Sequence, residues 1–270
     1  MTPTKGSRTL KNFKLLSVEK LSKRFGGVNA LTDVSFDVPN MKIVGLIGPN
    51  GAGKTTLFNC ITGLAPSESG SIFFGDAQTP VRGLPPFKIA AKGIARTFQT
   101  IRLFKHMSAL ENVMVGAYTR GRCGIWGGLL KPRWARVEES RIMDQAYRLL
   151  TLFGLAGKAD ELACNLSYGH QRKLEIARAL AADPKLLLLD EPAAGMNPKE
   201  KDELLGLIRQ IQDRGVTILI IEHDMKMVMK VCDRIVVLDY GKKIAEGAPE
   251  EIQANPRVIE AYLGRGTKRA

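Results

Sequence analysis

Hydrophobic residues along the chain follow two patterns. Residues 31–38 alternate between apolar and polar side chains, and together with the run at 15–18 they predict half-exposed antiparallel strands. Three later runs, 42–47, 186–189 and 216–221, are apolar on both faces, which is typical of strands buried in a parallel sheet. The sequence therefore predicts an α/β protein with an antiparallel β subdomain near its N-terminus.

Apolar residues with helical spacing follow these strands. Residues 54–61 predict a helix directly after the first buried strand, and residues 200–213 predict a crossover helix between the other two. Between residues 96 and 165 strand signals disappear, and helical patterns such as residues 137–153 replace them. We expect an α-helical subdomain inserted at approximately residues 98–166.

The two ends of the chain differ from this core. Residues 1–14 are polar and basic and are expected to form a flexible tail, whereas residues 15–250 form the predicted domain. Residues 251–270 are expected to form a C-terminal helix and a basic tail. The glycine-rich basic segment 120–136 is expected to be a mobile or contact-making loop.

Composition places the chain among globular proteins, because its 270 residues are 44% hydrophobic and 25% charged. The four cysteines lack C-x-x-C spacing, so neither a disulfide framework nor a zinc site is expected. No segment approaches the ~18 consecutive apolar residues of a membrane span, and the N-terminal residues lack an apolar signal region. We expect a protein that stays in the cytosol.

The formal net charge of +13 is compatible with a nucleic acid partner, an anionic membrane surface or phosphate ligands. Basic residues gather near both ends and at 120–141, and they do not form a stripe interleaved with aromatic residues. Direct binding of nucleic acid is therefore not expected.

A phosphate-binding loop follows the first buried strand. Residues 48–55 match G-x-x-x-x-G-K-[ST] between a predicted strand and a predicted helix. The glycines let backbone N–H groups surround phosphate oxygens, and the N-terminus of the helix adds positive potential. Lys54 is expected to reach the β- and γ-phosphates, and the Thr55 hydroxyl is expected to bind Mg²⁺.

Two acidic residues end the second buried strand, at the edge where α/β sheets bind ligands. Asp190 is expected to hold Mg²⁺ directly or through water, and Glu191 to orient or deprotonate an attacking water. The alternative is an ordinary solvated strand end, but the phosphate loop favours the functional interpretation.

Three further residues carry weaker signals. His223 ends the third buried strand and could contact the γ-phosphate or the water, or be simply structural or exposed. Gln99 could connect a metal to the helical insert, or be a polar residue at a boundary. Phe25, among basic neighbours, could stack on an adenine ring, or be an ordinary core or surface aromatic.

A serine and a glycine open another predicted helix. Ser167 is expected to cap the helix that continues through residues 172–181. A serine-capped N-terminus followed by Gly169 is also suited to bind an anion. The pattern therefore supports a structural cap and an anion site together.

The order of these motifs resembles that of the ATP-binding subunits of ABC transporters, over residues 15–250. The bacterial branched-chain amino acid import group is especially similar, because residues 193–198, 238–241 and 244–247 and the glycine-rich basic segment also resemble it. The motifs are the phosphate loop, Gln99, LSYGHQ at 166–171, LLLLDEP at 186–192 and IEHD at 221–224. The resemblance implies a P-loop NTPase fold of the ABC type.

In that family two nucleotide-binding subunits pack head to tail, and each ATP lies between the phosphate loop of one chain and the signature turn of the other. The resemblance makes Glu191 the catalytic base and His223 the switch histidine. It places Phe25 on the adenine, and Ser167 and Gly169 on the γ-phosphate bound by the neighbouring chain. The implied phosphate-loop contacts to ATP are Gly48, Pro49, Asn50, Gly51, Ala52, Gly53, Lys54, Thr55 and Thr56. The implied metal-site residues are Thr55, Gln99 and Asp190.

The implied cofactors are ATP and Mg²⁺, and the implied reaction is ATP hydrolysis coupled to uptake of branched-chain or related amino acids. The implied partners are transmembrane permease subunits, a second ATP-binding subunit that is either a copy or a sister chain, and indirectly a periplasmic solute-binding protein. The location is then the cytoplasmic face of the inner membrane.

Two alternatives remain open. One is a cassette for a different cargo, such as urea or a lipid. The other is a non-transport ABC ATPase acting on nucleic acid, but such proteins separate the phosphate loop and signature by a very long coiled coil. Here the interval holds only about a hundred residues and no heptads.

The sequence departs from the usual family pattern at several positions. Tyr168 and His170 replace a glycine and a glutamine of the signature Leu-Ser-Gly-Gly-Gln, and Asn197 stands where an aspartate is usual. Phe25 stands where tyrosine is more common, which should matter little for stacking. Contacts across the expected dimer are therefore expected to differ from the usual family pattern.

Overall fold

Ten strands and nine helices form in the part of the chain that the computed structural model describes, residues 13–118 and 133–263. The strands are β1 (Lys14–Phe25), β2 (Val28–Pro39), β3 (Ile43–Ile47), β4 (Ser69–Phe74), β5 (Thr79–Pro80), β6 (Ile94–Arg96), β7 (Leu186–Asp190), β8 (Thr217–Ile221), β9 (Arg234–Asp239) and β10 (Lys242–Gly247). The helices are α1 (Lys54–Ile61), α2 (Pro86–Ala91), α3 (Ala109–Tyr118), α4 (Arg133–Leu152), α5 (Tyr168–Ala181), α6 (Pro198–Asp213), α7 (Met225–Val231), α8 (Pro249–Gln253) and α9 (Pro256–Leu263).

An antiparallel sheet has the strand order β2, β1, β4, β5. The predicted strands at 15–18 and 31–38 lie within β1 and β2, which pair with Val18 opposite Phe36. The predicted antiparallel β subdomain is confirmed. Lys14 already pairs within this sheet, whereas the predicted flexible tail up to residue 12 lies outside the described residues.

The second sheet has the order β10, β9, β3, β8, β7, β6, and all neighbours except β10 and β9 are parallel. Every residue of β3, β7 and β8 is buried, as the runs without alternation predicted. In β3, Ile43 and Ile47 join one core cluster, and Val44 and Leu46 join the other. The sheet is therefore covered on both faces, and because β3, β8 and β7 are parallel neighbours, their carboxyl ends lie at the same edge.

Helices α3, α4 and α5 pack on one another beside this sheet. At Gly116 in α3, an added Cβ would overlap the carbonyl oxygen of Arg178 in α5, so only glycine allows this close approach. Helix α5, which follows the predicted insert, ends at Ala181 and packs against this helical layer, and the bounds of approximately 98–166 for the insert stay a prediction.

Two predicted segments lie partly outside the described ranges. Residues 120–132 of the glycine-rich basic segment are not described, and α4 begins at Arg133. The predicted C-terminal helix corresponds to α8 and α9, and residues 264–270 are not described. Over residues 13–118 and 133–263, no helix combines the length and the apolar character needed to span a membrane.

Candidate active site

A cavity of about 790 Å³ opens where the carboxyl ends of β3, β8 and β7 meet. Small-molecule sites usually have volumes of ~300–1,000 Å³. Gln99, Glu191, His223 and the exposed Tyr240 line this cavity together with the phosphate loop. The remaining lining residues are Val28, Asn29, Ala30, Asn50, Gly51, Ala52, Gly53, Lys54, Thr55 and Thr56.

The phosphate loop needs glycine at its bends. Gly48, Gly51 and Gly53 have φ angles of 149°, 81° and 98°, which residues with a Cβ rarely adopt. A Cβ at Gly48 would also overlap the carbonyl oxygen of Leu238 in β9. The loop therefore lies directly against the sheet, and its residues line the cavity at the N-terminus of α1. N–H groups at such a terminus are suited to binding phosphate.

Lys54 is held inside the loop that it follows. Its ammonium donates hydrogen bonds to the carbonyl oxygens of Gly48, at 2.7 Å, and Pro49, at 2.9 Å. The residue is buried, although it also lines the cavity. Two backbone carbonyl groups therefore fix this cation beside the loop.

Asp190 ends β7 with its side chain almost completely buried. One carboxylate oxygen accepts a hydrogen bond from the Arg96 guanidinium at 2.7 Å. The other, Oδ1, has no hydrogen-bond partner within the described part of the chain. Carboxylate and hydroxyl oxygens are the ligands that Mg²⁺ prefers, and Mg²⁺ is usually held by one or two carboxylates plus substrate phosphates. Asp190 does not line the cavity, but its unpartnered Oδ1 and the Thr55 hydroxyl, which does line it, are oxygens of the kind that would suit Mg²⁺.

No all-protein metal cage exists in the described ranges, since they contain no group of three His, Cys, Asp or Glu side chains that could hold an ion. The predicted metal-site residues Thr55, Gln99 and Asp190 stay predictions.

Glu191 lies between two other predicted site residues. Its Oε2 accepts a hydrogen bond from Gln99 Nε2 at 3.2 Å, and its Oε1 lies 2.6 Å from His223 Nε2. The backbone of Glu191 has φ 49°, a left-handed conformation that is costly for a residue with a Cβ, and its N–H donates to the Ile221 carbonyl. The carboxylate is thus aimed into the cavity by both neighbours and can accept a proton from a bound water.

The predicted adenine-stacking residue lies apart from this group. Phe25 ends β1 and is 53% exposed, with the Lys23 ammonium 4.8 Å from its ring centroid. It is not among the residues that line the cavity, whereas Tyr240, in the turn between β9 and β10, is. The role of Phe25 therefore stays a prediction.

The signature turn lies outside the cavity. Ser167 caps α5 by accepting a hydrogen bond from the backbone N–H of His170 at 3.4 Å. Gly169 is buried, and a Cβ there would lie 2.7 Å from the Glu200 carboxylate. None of these residues lines the phosphate-loop cavity, so the chain by itself does not bring its two predicted phosphate sites together.

Two departures from the usual motifs have local structural roles. The Tyr168 ring packs against Gly195, where an added Cβ would lie 3.0 Å from a ring carbon. Asn197 caps α6, because its side chain accepts from the backbone N–H of Glu200 while the Glu200 carboxylate accepts from the N–H of Asn197. For His170 the structure gives no comparable reason.

Sequence reasoning missed several residues that hold this site. Arg96 is buried between the Phe58 and Phe98 rings and pairs with Asp190. Glu222, next to His223, accepts backbone N–H bonds from Ala193 at 2.9 Å and from His223 at 3.2 Å. Burial raises the pKa of Glu222. An acidic residue ending an apolar run was its only signal in the sequence.

Comparisons with known proteins agree with this geometry. The family model for ABC transporters matches residues 31–194, and the model for branched-chain amino acid ATP-binding cassette transporters matches residues 242–267. The high-affinity branched-chain amino acid transport ATP-binding protein LivG of Escherichia coli is 48% identical over 251 residues, which cover 93% of this chain and 98% of LivG. The corresponding BraF of Pseudomonas aeruginosa is 46% identical over 93% of this chain and 98% of BraF.

Solved structures give the same assignment. A nucleotide-free ATP-binding cassette from an ABC transporter is 34% identical and superposes with a TM-score of 0.81 over 93% of this chain and 100% of that chain. The ADP conformation of an ATP-binding cassette is 33% identical, with a TM-score of 0.81 over 93% of this chain and 99% of that chain. The predicted P-loop fold of the ABC type is confirmed, and the chain belongs to the ATP-binding subunits of ABC transporters, in the branched-chain amino acid group.

Proposed function

We propose that this chain hydrolyses ATP to ADP and phosphate and thereby drives an importer of branched-chain amino acids. The observation that carries the proposal is the contact of Glu191 with both Gln99 and His223, inside the cavity that contains the phosphate loop. The names of the relatives LivG and BraF support the transport assignment. Other cargoes, such as urea or a lipid, are not favoured by these relatives.

The residues of the site have separate roles in ATP hydrolysis. The N–H groups of the phosphate loop and the Lys54 ammonium bind the phosphates and balance their charge. Asp190 Oδ1 and the Thr55 hydroxyl would hold Mg²⁺, with Gln99 beside them, and the ion would supply further charge neutralisation on the β- and γ-phosphates. Glu191 orients a water and takes its proton, and His223, 2.6 Å from that carboxylate, keeps it in place.

The signature turn completes a site in a second chain. Ser167 and Gly169 lie away from the cavity of their own chain, although a serine-capped helix N-terminus suits an anion. We propose that they contact the γ-phosphate of ATP bound by a neighbouring ATP-binding subunit, either a copy of this chain or a sister chain. ATP binding then closes the pair, hydrolysis reopens it, and the change of populations drives the membrane partner.

A groove beside Gln99 is suited to the permease. It has a volume of about 480 Å³ and lies between the parallel sheet and the helical layer, lined by apolar residues such as Ile89, Phe98, Phe104 and Val115. We propose that a cytoplasmic helix of a permease subunit binds there, which places the chain at the cytoplasmic face of the inner membrane. A periplasmic solute-binding protein would deliver the amino acid to that permease.

Purification from membranes tests this function. The tagged full chain is expected to copurify with multi-span permease subunits and with its ATP-binding partner, and vesicles containing the complex should take up leucine, isoleucine or valine when ATP is present. Recovery of the chain with ribosomes or DNA instead of membranes would refute the transport assignment. Uptake of only a different solute would refute the cargo.

A further inference from the structure

We propose that Arg172 and Glu175, a buried ion pair in α5, act as positioning residues that couple the two ATP sites of the dimer. The pair joins the signature turn, which serves the neighbouring chain's ATP, to Gln99 and Glu191, which serve this chain's ATP. The proposal rests on the proposed function, since it requires two ATP sites shared between subunits.

The pair fixes the backbone on which Gln99 is carried. Arg172 is fully buried, and its guanidinium donates to the carbonyl oxygens of Phe98, at 2.7 Å, and Gln99, at 2.8 Å. The same guanidinium pairs with Glu175 at 2.8 Å. Glu175 in turn accepts the backbone N–H groups of Phe98, at 3.4 Å, and Arg102, at 3.3 Å. Both the donors and the acceptors of the segment 98–102 are therefore held by one helix.

The same helix carries the signature turn at its start. Ser167 caps α5, and Arg172 lies little more than one turn farther along. Arg172 also donates to the Tyr168 hydroxyl at 3.3 Å, and the Tyr168 ring packs on Gly195. A helix is a rigid element at this length, so displacement of the turn by a neighbouring γ-phosphate moves Arg172 with it. Tyr168, which replaces a glycine of the usual signature, is therefore part of the connection between the signature turn and Arg172.

The last contact reaches the catalytic carboxylate. The side chain of Gln99 donates to Glu191 at 3.2 Å, so a shift of the Gln99 backbone changes where Glu191 is held. One route from the signature turn to Glu191 therefore runs through Arg172 and Gln99. Coupling along this route is measured as an interaction between the two ATP sites.

Burial of this pair is not explained by stability alone. Apolar residues of similar volume often replace a buried ion pair with no loss of stability, because desolvation offsets the attraction. Arg172 Nε is moreover buried without a hydrogen-bond partner in the described part of the chain. When segment 98–102 shifts, Arg172 Nε can gain the hydrogen bond that it lacks here. Such a spare donor is expected where a segment alternates between two positions.

The test compares two double variants of the full chain, each in the complex purified from membranes. Arg172→Met with Glu175→Met removes the side-chain contacts to segment 98–102 without leaving either member of this ion pair as an unpaired buried charge. Lys173→Met with Glu203→Met is the control, because this ion pair also includes a residue of α5, joins it to α6 at 2.7 Å, and has no described contact with segment 98–102. ATP hydrolysis is measured against ATP concentration, and nucleotide affinity with a fluorescent ATP analogue.

The wild type and the control are expected to hydrolyse ATP with a Hill coefficient above 1, the upper limit being ~2 for two sites. The Arg172/Glu175 double variant should have a Hill coefficient of about 1 and a kcat at least ~10-fold lower, with nucleotide affinity changed by less than ~2-fold. If the pair only supported folding, its removal would not abolish cooperativity while leaving nucleotide affinity almost unchanged.

A second variant covers the case in which the double variant does not fold. Arg172→Lys keeps the charge beside Glu175 but cannot reach both carbonyl groups with one ammonium. It should melt near the wild-type temperature and still lose cooperativity. The coupling would be overturned by wild-type kinetics in either folded Arg172 variant, or by the same loss of cooperativity in the control. A Hill coefficient of 1 in the wild type would also overturn it. All three outcomes leave the proposed function intact. A wild-type complex without ATPase activity would overturn the proposed function, and the coupling with it.

Discussion

Replacing Arg96 with methionine tests how much one buried cation contributes to the free energy of unfolding. The Arg96 guanidinium contacts Asp190 and the Asn59 side chain, each at 2.7 Å, and lies within 5.3 Å of two aromatic ring centroids. Only 6% of the Arg96 side chain and 1% of the Asp190 side chain are exposed. Solvent therefore cannot replace the lost partner.

The magnitude follows from this burial. Because Oδ1 of Asp190 already has no described partner, Arg96→Met leaves both carboxylate oxygens without a hydrogen bond from a cation. Removing one member of a buried ion pair costs about 3–5 kcal/mol, whereas removing both charges is often nearly neutral. We therefore expect Arg96→Met to lower the free energy of unfolding by ~3–5 kcal/mol, and Arg96→Met with Asp190→Asn to restore most of it.

The assay is urea unfolding of the purified full chain, followed by both fluorescence and circular dichroism to establish that the transition is two-state. A double-mutant cycle, completed by Asp190→Asn alone, should give a coupling free energy of at least ~2–3 kcal/mol between the two positions. Lys158→Met, which removes a partly exposed pair with Glu161 at 2.8 Å, is the control and should cost less than ~1 kcal/mol. A cost for Arg96→Met no larger than that of the control would refute the account of the buried pair.

Three further predictions test other parts of the structure. Glu191→Gln should lower the rate of ATP hydrolysis by ~10²–10⁴-fold while leaving ATP binding intact, since only proton acceptance is lost; wild-type turnover would contradict the assignment. Gly169→Ala should lower the free energy of unfolding by ~1 kcal/mol, because its Cβ would lie 2.7 Å from the Glu200 carboxylate and displace Glu200 from the cap of α6. In a Glu200→Ala background the substitution should have no effect, and an equal loss of stability there would disprove the contact. Burial raises the pKa of the Cys232 thiol to about 12. At pH 8 iodoacetamide should therefore label the exposed Cys164 first and the buried Cys232 only on unfolding, as measured by peptide mass spectrometry. Equal labelling of both cysteines in the native chain would contradict this packing.

Local patterns were enough to predict the parts of the site that are formed within one segment. The phosphate loop is a strand, a glycine turn and a helix start, all within residues 42–61, and each is encoded by neighbouring residues. The cap at Ser167 is likewise a contact between residues three positions apart. Burial of β7 and β8 also followed from sequence, because a run without alternation fits only a strand covered on both faces.

Other features depend on which strands become neighbours. β6 is only three residues long and gave no strand signal, yet it pairs with β7 and brings Arg96 to Asp190, 94 positions away. A charged residue is expected at the surface unless a partner neutralises it, and no local pattern identifies a partner at that distance. From the sequence, Arg172 was predicted only to lie within a helix, because its partners at residues 98 and 99 belong to a different segment.

The sequence by itself therefore determined the fold class, the phosphate loop, the buried strands and the family, because these depend on residue order and on periodicity over a few residues. Only the tertiary structure decided that Gln99 and His223 both contact Glu191, that Arg96 occupies one oxygen of Asp190, and that Arg172 joins the signature turn to the Gln99 segment. The physical reason is that these contacts connect side chains on separate elements, and sheet order and helix packing, which set their distances, are collective properties of the whole core.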